Sequence, residues 1–172
     1  MQQSYIHYLE IIRNTCIGHE RPVTILAEEQ ADIARLAEDH CTVPFVLSSF
    51  RGTPFYPAML QRTRSMMLNY YQIDQFTRHT VSLLRDNGID CILLKGISLA
   101  SCYPVPEYRK LGDLDLYISR KSDVSRAQKL LEADGYIAED ELSDHHLTYH
   151  YTFPETGRKL LLELHYRVVG MY

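Results

Sequence analysis

A chain of 172 residues with 45% hydrophobic and 23% charged side chains has ordinary globular composition and is long enough to bury one substantial core. Its formal net charge of -4 gives no global attraction to a polyanion, so long nucleic acid is not expected as a partner and small substrates are. The N-terminus lacks a secretory pattern and no apolar run approaches the roughly 20 residues of a membrane span, which points to a cytoplasmic protein without membrane contact.

In chain order, Ser4 to Cys16 and Thr24 to His40 carry helical patterns, the second with Thr24 as N-cap and Glu28 and Glu29 in its first turns. Pro44, Pro54 and Pro57, with Gly52, punctuate the connection to a long amphipathic helix with Met59, Met66, Met67, Tyr70, Ile73, Phe76, Val81 and Leu84 along one stripe. Asn87-Gly88 ends that helix, and this marks a division between an N-terminal helical region, residues 1–87, and a core over residues 88–172. Beyond it, Ile89 to Leu94 suits a buried strand, followed by a turn at Lys95-Gly96 and a short helix through Ala100. Asp113 to Ile118 alternates as a strand, and Ser122 is placed to cap a helix that runs to about Asp134. Thr148 to Phe153 and Lys159 to Arg167 form a hairpin around Pro154-Glu155-Thr156-Gly157. The sum is an α/β (α+β) fold, with the helical region packed on a small mixed sheet. Cys16, Cys41, Cys91 and Cys102 are widely spaced with no CxxC pair, so reduced thiols are expected.

The segment Leu111-Gly112-Asp113-Leu114-Asp115-Leu116-Tyr117-Ile118 carries the most chemical information. Strand alternation sends Leu114, Leu116 and Ile118 to one face and Asp113 and Asp115 to the other, with Cα atoms roughly 6.5 Å apart. Two carboxylates that close repel each other, and a divalent cation with oxygen ligands relieves the repulsion. In Leu160-Leu161-Leu162-Glu163-Leu164-His165-Tyr166, Glu163 shares a face with Leu161 and His165. An acid inside an apolar strand calls for a basic partner, such as Arg109, Arg158 or Arg167, or for a metal ion. Were this strand beside the Asp113 strand, three carboxylates would converge as in a two-metal phosphoryl-transfer site. The turn Leu94-Lys95-Gly96-Ile97-Ser98 is a further candidate, with backbone N–H groups and the Lys95 charge offered to phosphate, though it lacks the Walker pattern. Arg109 adds a guanidinium suited to bidentate phosphate contact. Asp144, His145, His146 and His150 form a second polar cluster, open to a zinc site, an acceptor or general-base role, or a plain exposed loop.

Taken together, Leu94-Lys95-Gly96, Tyr103-Pro104, Arg109 to Asp115, Gly135-Tyr136 and Glu163-Leu164-His165-Tyr166-Arg167 resemble a poorly characterised bacterial nucleotidyltransferase family of the polymerase-beta-type superfamily. The resemblance covers roughly the second half of the chain. It implies Asp113, Asp115 and Glu163 as catalytic residues and ligands of Mg2+ or Mn2+, with Gly96 at the nucleotide turn; beside it, the residues themselves suggest Lys95, Ser98 and Arg109 as further nucleotide contacts and His165 as an acceptor-side neighbour. It implies a nucleoside monophosphate transferred from an NTP to an unknown small-molecule, peptide or protein acceptor, with pyrophosphate released. Better-known members carry Gly-Ser where this chain has Gly96-Ile97, and they have a shorter interval between turn and acids. The chain also stops at Tyr172, soon after the third acid, so a C-terminal region holding the acceptor site is expected to be lacking. The alternatives are a noncatalytic nucleotide-binding or partner-binding member of the fold and a metallohydrolase built on the histidines.

Overall fold

The computed structural model describes residues 2–18, 23–139 and 145–167. It is a mixed α/β structure in two compact units, one of Met1–Tyr71 with Ala100–Lys110 and the other of Gln72–Leu99 with Leu111–Tyr172. Helix α4, Tyr56–Asp86, contributes residues to both. Among the described residues no helix is long and apolar enough to cross a membrane. All four cysteines are free thiols.

The first unit is helical. Helices α1 (Gln2–Cys16), α2 (Gln30–Asp39) and α3 (Val43–Val46) enclose a core of Tyr8, Ile11, Ile33, Ala37, Val46 and Phe50, joined by Met59 of α4. The i, i+3 and i, i+4 spacing of these residues is what lines each helix with one apolar face. The Thr24 cap is not formed: a 3-10 turn over Ala27–Glu29 precedes α2, and the Leu26 N–H at its head donates to the Glu29 carboxylate (3.2 Å). This is the backward half of a capping box, in which the N3 carboxylate accepts from the N–H of the cap residue.

The second unit is a five-stranded sheet in the order β1-β2-β5-β4-β3, comprising β1 (Ile92–Leu93), β2 (Leu114–Tyr117), β3 (Ile137–Ala138), β4 (His146–Thr152) and β5 (Lys159–His165). Only β2 and β5 run parallel; the other neighbours are antiparallel. Helix α5, Lys121–Ala133, lies in the long connection between the parallel pair. Its cap position is Arg120, which leaves Ser122 inside the first turn: the Asp123 N–H already closes on the Arg120 carbonyl (2.9 Å), so the helix begins before serine is reached. At the end of α4, Gly88 takes φ +70, and bonds from Gly88 N–H to Arg85 O and from Ile89 N–H to Leu84 O close the helix in a Schellman pattern.

One face of this sheet is covered by helices. Leu160, Leu162 and Leu164 of β5 pair in register with Tyr151, Tyr149 and Leu147 of β4, and Leu162 and Leu164 also pair with Leu114 and Leu116 of β2. Over them, Phe76 of α4 stacks on Tyr136 and Tyr151, while Ala127 and Leu131 of α5 are fully buried. The buried stripe of α4 in this unit includes threonines that apolar spacing alone omits. Thr77 and Thr80 return their hydroxyls to the carbonyls four residues back, and Thr80 also bonds the Tyr136 hydroxyl (2.7 Å). The face turned away from the helices carries the acids.

Candidate functional site

Because register partners in neighbouring strands project to the same side, two rows of side chains cross the opposite face. Asp115 of β2 stands beside Glu163 of β5, which stands beside Thr148 of β4. One step along, Tyr117 stands beside His165, and His165 beside His146. The condition attached to Glu163 in the sequence is thereby met: its strand adjoins the Asp-x-Asp strand.

The chemical centre of the first row is Asp115, which is 2% exposed. Its Oδ1 receives Lys95 Nζ at 3.1 Å and lies 3.2 Å from His165 Nε2. That imidazole nitrogen is also 3.3 Å from Glu163 Oε2, so His165 sits between the two acids. The other oxygen of Asp115, Oδ2, is buried and has no hydrogen-bond partner among the described residues. A buried carboxylate oxygen left in this way costs about 1–3 kcal/mol or more, since it has lost water and gained nothing. Ligand atoms of Asp115, Glu163 and His165 lie within 4.8 Å of one another. Two carboxylates and an orphaned oxygen fit a hard divalent cation such as Mg2+ or Mn2+, which would supply the missing partner. Asp113 is half-buried, immediately precedes β2 and is not among those clustered atoms, although its charge is felt at Lys95.

The turn that follows β1 is held directly against β2. Leu94 N–H donates to the Asp115 carbonyl (3.1 Å), continuing the ladder by one bond. Gly96 then adopts φ +64, a left-handed conformation that side-chain-bearing residues enter at a cost. A Cβ there would lie 3.7 Å from the Asp113 carbonyl and 3.8 Å from Asp115 Oδ2, ordinary contact distances, so backbone conformation and not crowding selects glycine. The Ser98 hydroxyl donates to the Leu94 carbonyl and reaches the Lys95 carbonyl at 3.1 Å, which ties the turn closed. Lys95 is largely exposed along its length while its ammonium rests on Asp115. That hydrogen bond foremost, which outweighs the opposing desolvation, and then the charges of Asp115, Asp113 and Glu163 hold the ammonium above its ordinary range.

Arg109 belongs to the first unit, where it donates to the Tyr103 hydroxyl (3.1 Å) and lies 5.5 Å from the centre of that ring. The histidine cluster divides: His145 and His146 stand next to His165, whereas His150 pairs with Glu139 further along β4, and Asp144 lies outside the described residues. Thr148 and Tyr117 were not singled out in the sequence, yet they complete the two rows. Their signal is the strand register, which a single residue type does not carry.

Residues 27–171 match the family described as uncharacterised nucleotidyltransferase. The chain belongs to this family. The match takes in residues of both units and all of the candidate positions from Lys95 to His165. Membership in this nucleotidyltransferase family supports nucleotidyl transfer as the general class of activity, with an NTP as the corresponding substrate. No curated protein matches the chain.

Proposed function

We propose that the protein transfers a nucleoside monophosphate from an NTP to an acceptor hydroxyl or amine, in the manner of the polymerase-beta-type superfamily, with Asp113, Asp115 and Glu163 holding Mg2+ or Mn2+. The observation that carries this reading is the in-register pairing of Asp115 with Glu163, together with the buried Asp115 oxygen that has no partner among the described residues. The metal, when bound, supplies neutralisation of phosphate charge and alignment of the reacting oxygens. In the overall reaction an acceptor–phosphorus bond forms at the α-phosphate, the α–β bridging P–O bond breaks, pyrophosphate leaves and the acceptor gives up a proton.

The protein's own contributions follow from their chemistry. Lys95 offers an ammonium beside the acids, and its pairing with Asp115 balances their charge before phosphate arrives. Gly96 brings a backbone N–H to the turn in a conformation suited to anion approach. With Glu163 on the metal, His165, whose Nε2 lies 3.3 Å from the Glu163 carboxylate, would receive the acceptor proton; were Glu163 off the metal, it would serve as that base.

A noncatalytic, nucleotide-binding member of the fold is favoured by one observation: Lys95 and Ser98, two of the side chains assigned to phosphate, bond within the protein. Thermal melts of the full chain with each NTP, with and without Mg2+, combined with pyrophosphate-release assays, separate the readings. Metal-dependent stabilisation that Asp115→Asn and Glu163→Gln abolish, accompanied by pyrophosphate release with an acceptor, supports catalysis. Stabilisation without release over a range of acceptors supports the second reading. No metal-dependent stabilisation at millimolar nucleotide would make the acids structural. At ligand concentrations about 100 times Kd the parent should gain about 2.7 kcal/mol by mass action.

A further inference from the structure

Next to the carboxylates, three imidazoles converge. The ring centres of His145 and His146 are 4.4 Å apart, those of His146 and His165 5.2 Å, and those of His145 and His165 5.9 Å. One nitrogen from each falls within 4.8 Å of the other two. We propose that His145, His146 and His165 bind a transition-metal ion of the Zn2+ class, at a site distinct in ligand chemistry from the carboxylate pair.

The backbone builds this arrangement. His146 is the direct cross-strand partner of His165 in the antiparallel β4–β5 pair, a position that sets their side chains alongside each other. His145 precedes the strand, and its carbonyl accepts the N–H groups of Tyr166 (3.0 Å) and Arg167 (3.3 Å), which pins it beside the end of β5. A tetrahedral zinc ion with Zn–N bonds of about 2.0–2.1 Å places its nitrogens roughly 3.4 Å apart. From a present spacing of up to 4.8 Å the nitrogens must close by at most about 1.4 Å to reach that value. Imidazole is the ligand that zinc, copper and nickel favour, whereas magnesium takes oxygen, so the two neighbouring groups select different ions. Asp115 and Glu163 both contact the Nε2 of His165, so binding through Nδ1 would keep them as outer partners of the ion. His150, bonded to Glu139, is not part of the set.

Three imidazoles leave a fourth position of a tetrahedral ion open to water or to a ligand. Since His165 also touches Asp115 and Glu163, occupancy of the imidazole site should alter the affinity of the carboxylates for Mg2+. That coupling rests on the function proposed above; the binding site itself does not.

Calorimetric titration of the full chain with Zn2+ alone, without nucleotide or Mg2+, tests the site. One ion per chain should bind, with His145→Phe and His146→Phe each weakening it by at least about 100-fold, beyond the effect of losing an outer partner. Phenylalanine keeps a ring and strand propensity and removes both nitrogens. Each variant is first melted in chelator to establish that it folds as the parent does. Independently of any substitution, ring resonances of all three histidines in the parent should shift with substoichiometric Zn2+ while that of His150 stays in place. Equal affinity in parent and both variants overturns the proposal, as does Zn2+ affinity that Asp115→Asn removes while the histidine variants retain it. If a variant does not fold, the parent's resonances decide: unshifted His145 and His146 refute the site. The Mg2+-dependent nucleotide melts described above contain no Zn2+, so either conclusion stands or fails without the other.

Discussion

The two faces of the five-stranded sheet are made by alternate residues of the same strands, and they do opposite things. On β5, Leu160, Leu162 and Leu164 are buried beneath helices, while Glu163 and His165, their immediate neighbours, belong to the acid face. A single strand thus serves as core on one side and as ligand platform on the other, because strand side chains alternate at every residue. The leucines fix the register, and the register fixes which acids meet. Stability and chemistry are separable here by parity along the strand, although both depend on the same backbone ladder.

The strongest way to break that separation is to damage the covered face. Leu162 is fully buried and pairs in register with both Leu114 and Tyr149, so Leu162→Ala should cost about 2–5 kcal/mol in urea unfolding, with most of the loss from the cavity left behind. A loss below about 1 kcal/mol would show that this face is not the load on which the acid register depends. On the acid face a deletion should read differently. Lys95→Ala removes a largely exposed side chain but takes the ammonium away from the buried Asp115 carboxylate, so stability without ligand should fall by about 1–3 kcal/mol, while nucleotide affinity falls by about 1.5–3 kcal/mol if the ammonium moves to phosphate. Unchanged affinity would leave Lys95 as a counter-ion of Asp115 only.

Gly96→Ala sharpens the comparison from the backbone. Its φ of +64 should make alanine cost about 1–2 kcal/mol even though the added methyl meets nothing closer than 3.7 Å. A Gly96→Asn variant, whose side chain tolerates this conformation better, should recover part of the loss; equal melting of the alanine variant and the parent would refute the conformational argument. The smallest effect at its onset is alkaline. Burial holds the phenols of Tyr136, Tyr149 and Tyr151 above their ordinary value of 10.0. Their native pKa values exceed the unfolded ones, so the stability they contribute is complete below about pH 10 and is lost as pH rises through the native values. Phenolate absorbance should therefore appear together with unfolding on the alkaline side; ionisation of all three within a still-folded protein would contradict the burial argument.

The chemistry was more legible than the topology. Strand alternation through Asp113 to Ile118 and Lys159 to Arg167 already assigned leucines and acids to opposite faces, since that rule needs only neighbours in sequence. Whether β2 adjoins β5 was not readable, because parallel pairing across α5 and a hairpin is set by the packed core and leaves no local mark. Asp113 illustrates the limit at one residue: it continues the alternating pattern but falls just outside the ladder. The histidines illustrate another. Their nearness in sequence grouped His145 and His146 with His150, whereas the hairpin brings His146 opposite His165. The turn after Phe153, whose N–H closes on the Arg158 carbonyl, fixes that register and contained the information. β3, two exposed residues long, had too little apolar pattern to announce itself.

Those short outer strands have a consequence for the behaviour of the protein at high concentration. Both margins of the sheet carry an exposed isoleucine, Ile92 at 57% and Ile137 at 67%, a combination that on a long strand would recruit another chain into the ladder. Each margin, however, has two residues in register with its neighbour and one further ladder bond, from Leu94 N–H or Glu139 N–H, among the described residues. So short a row of unpaired N–H and C=O groups gives an incoming strand too few bonds to offset its ordering entropy, and brevity protects this sheet from intermolecular growth where charge or proline would do so in a longer one.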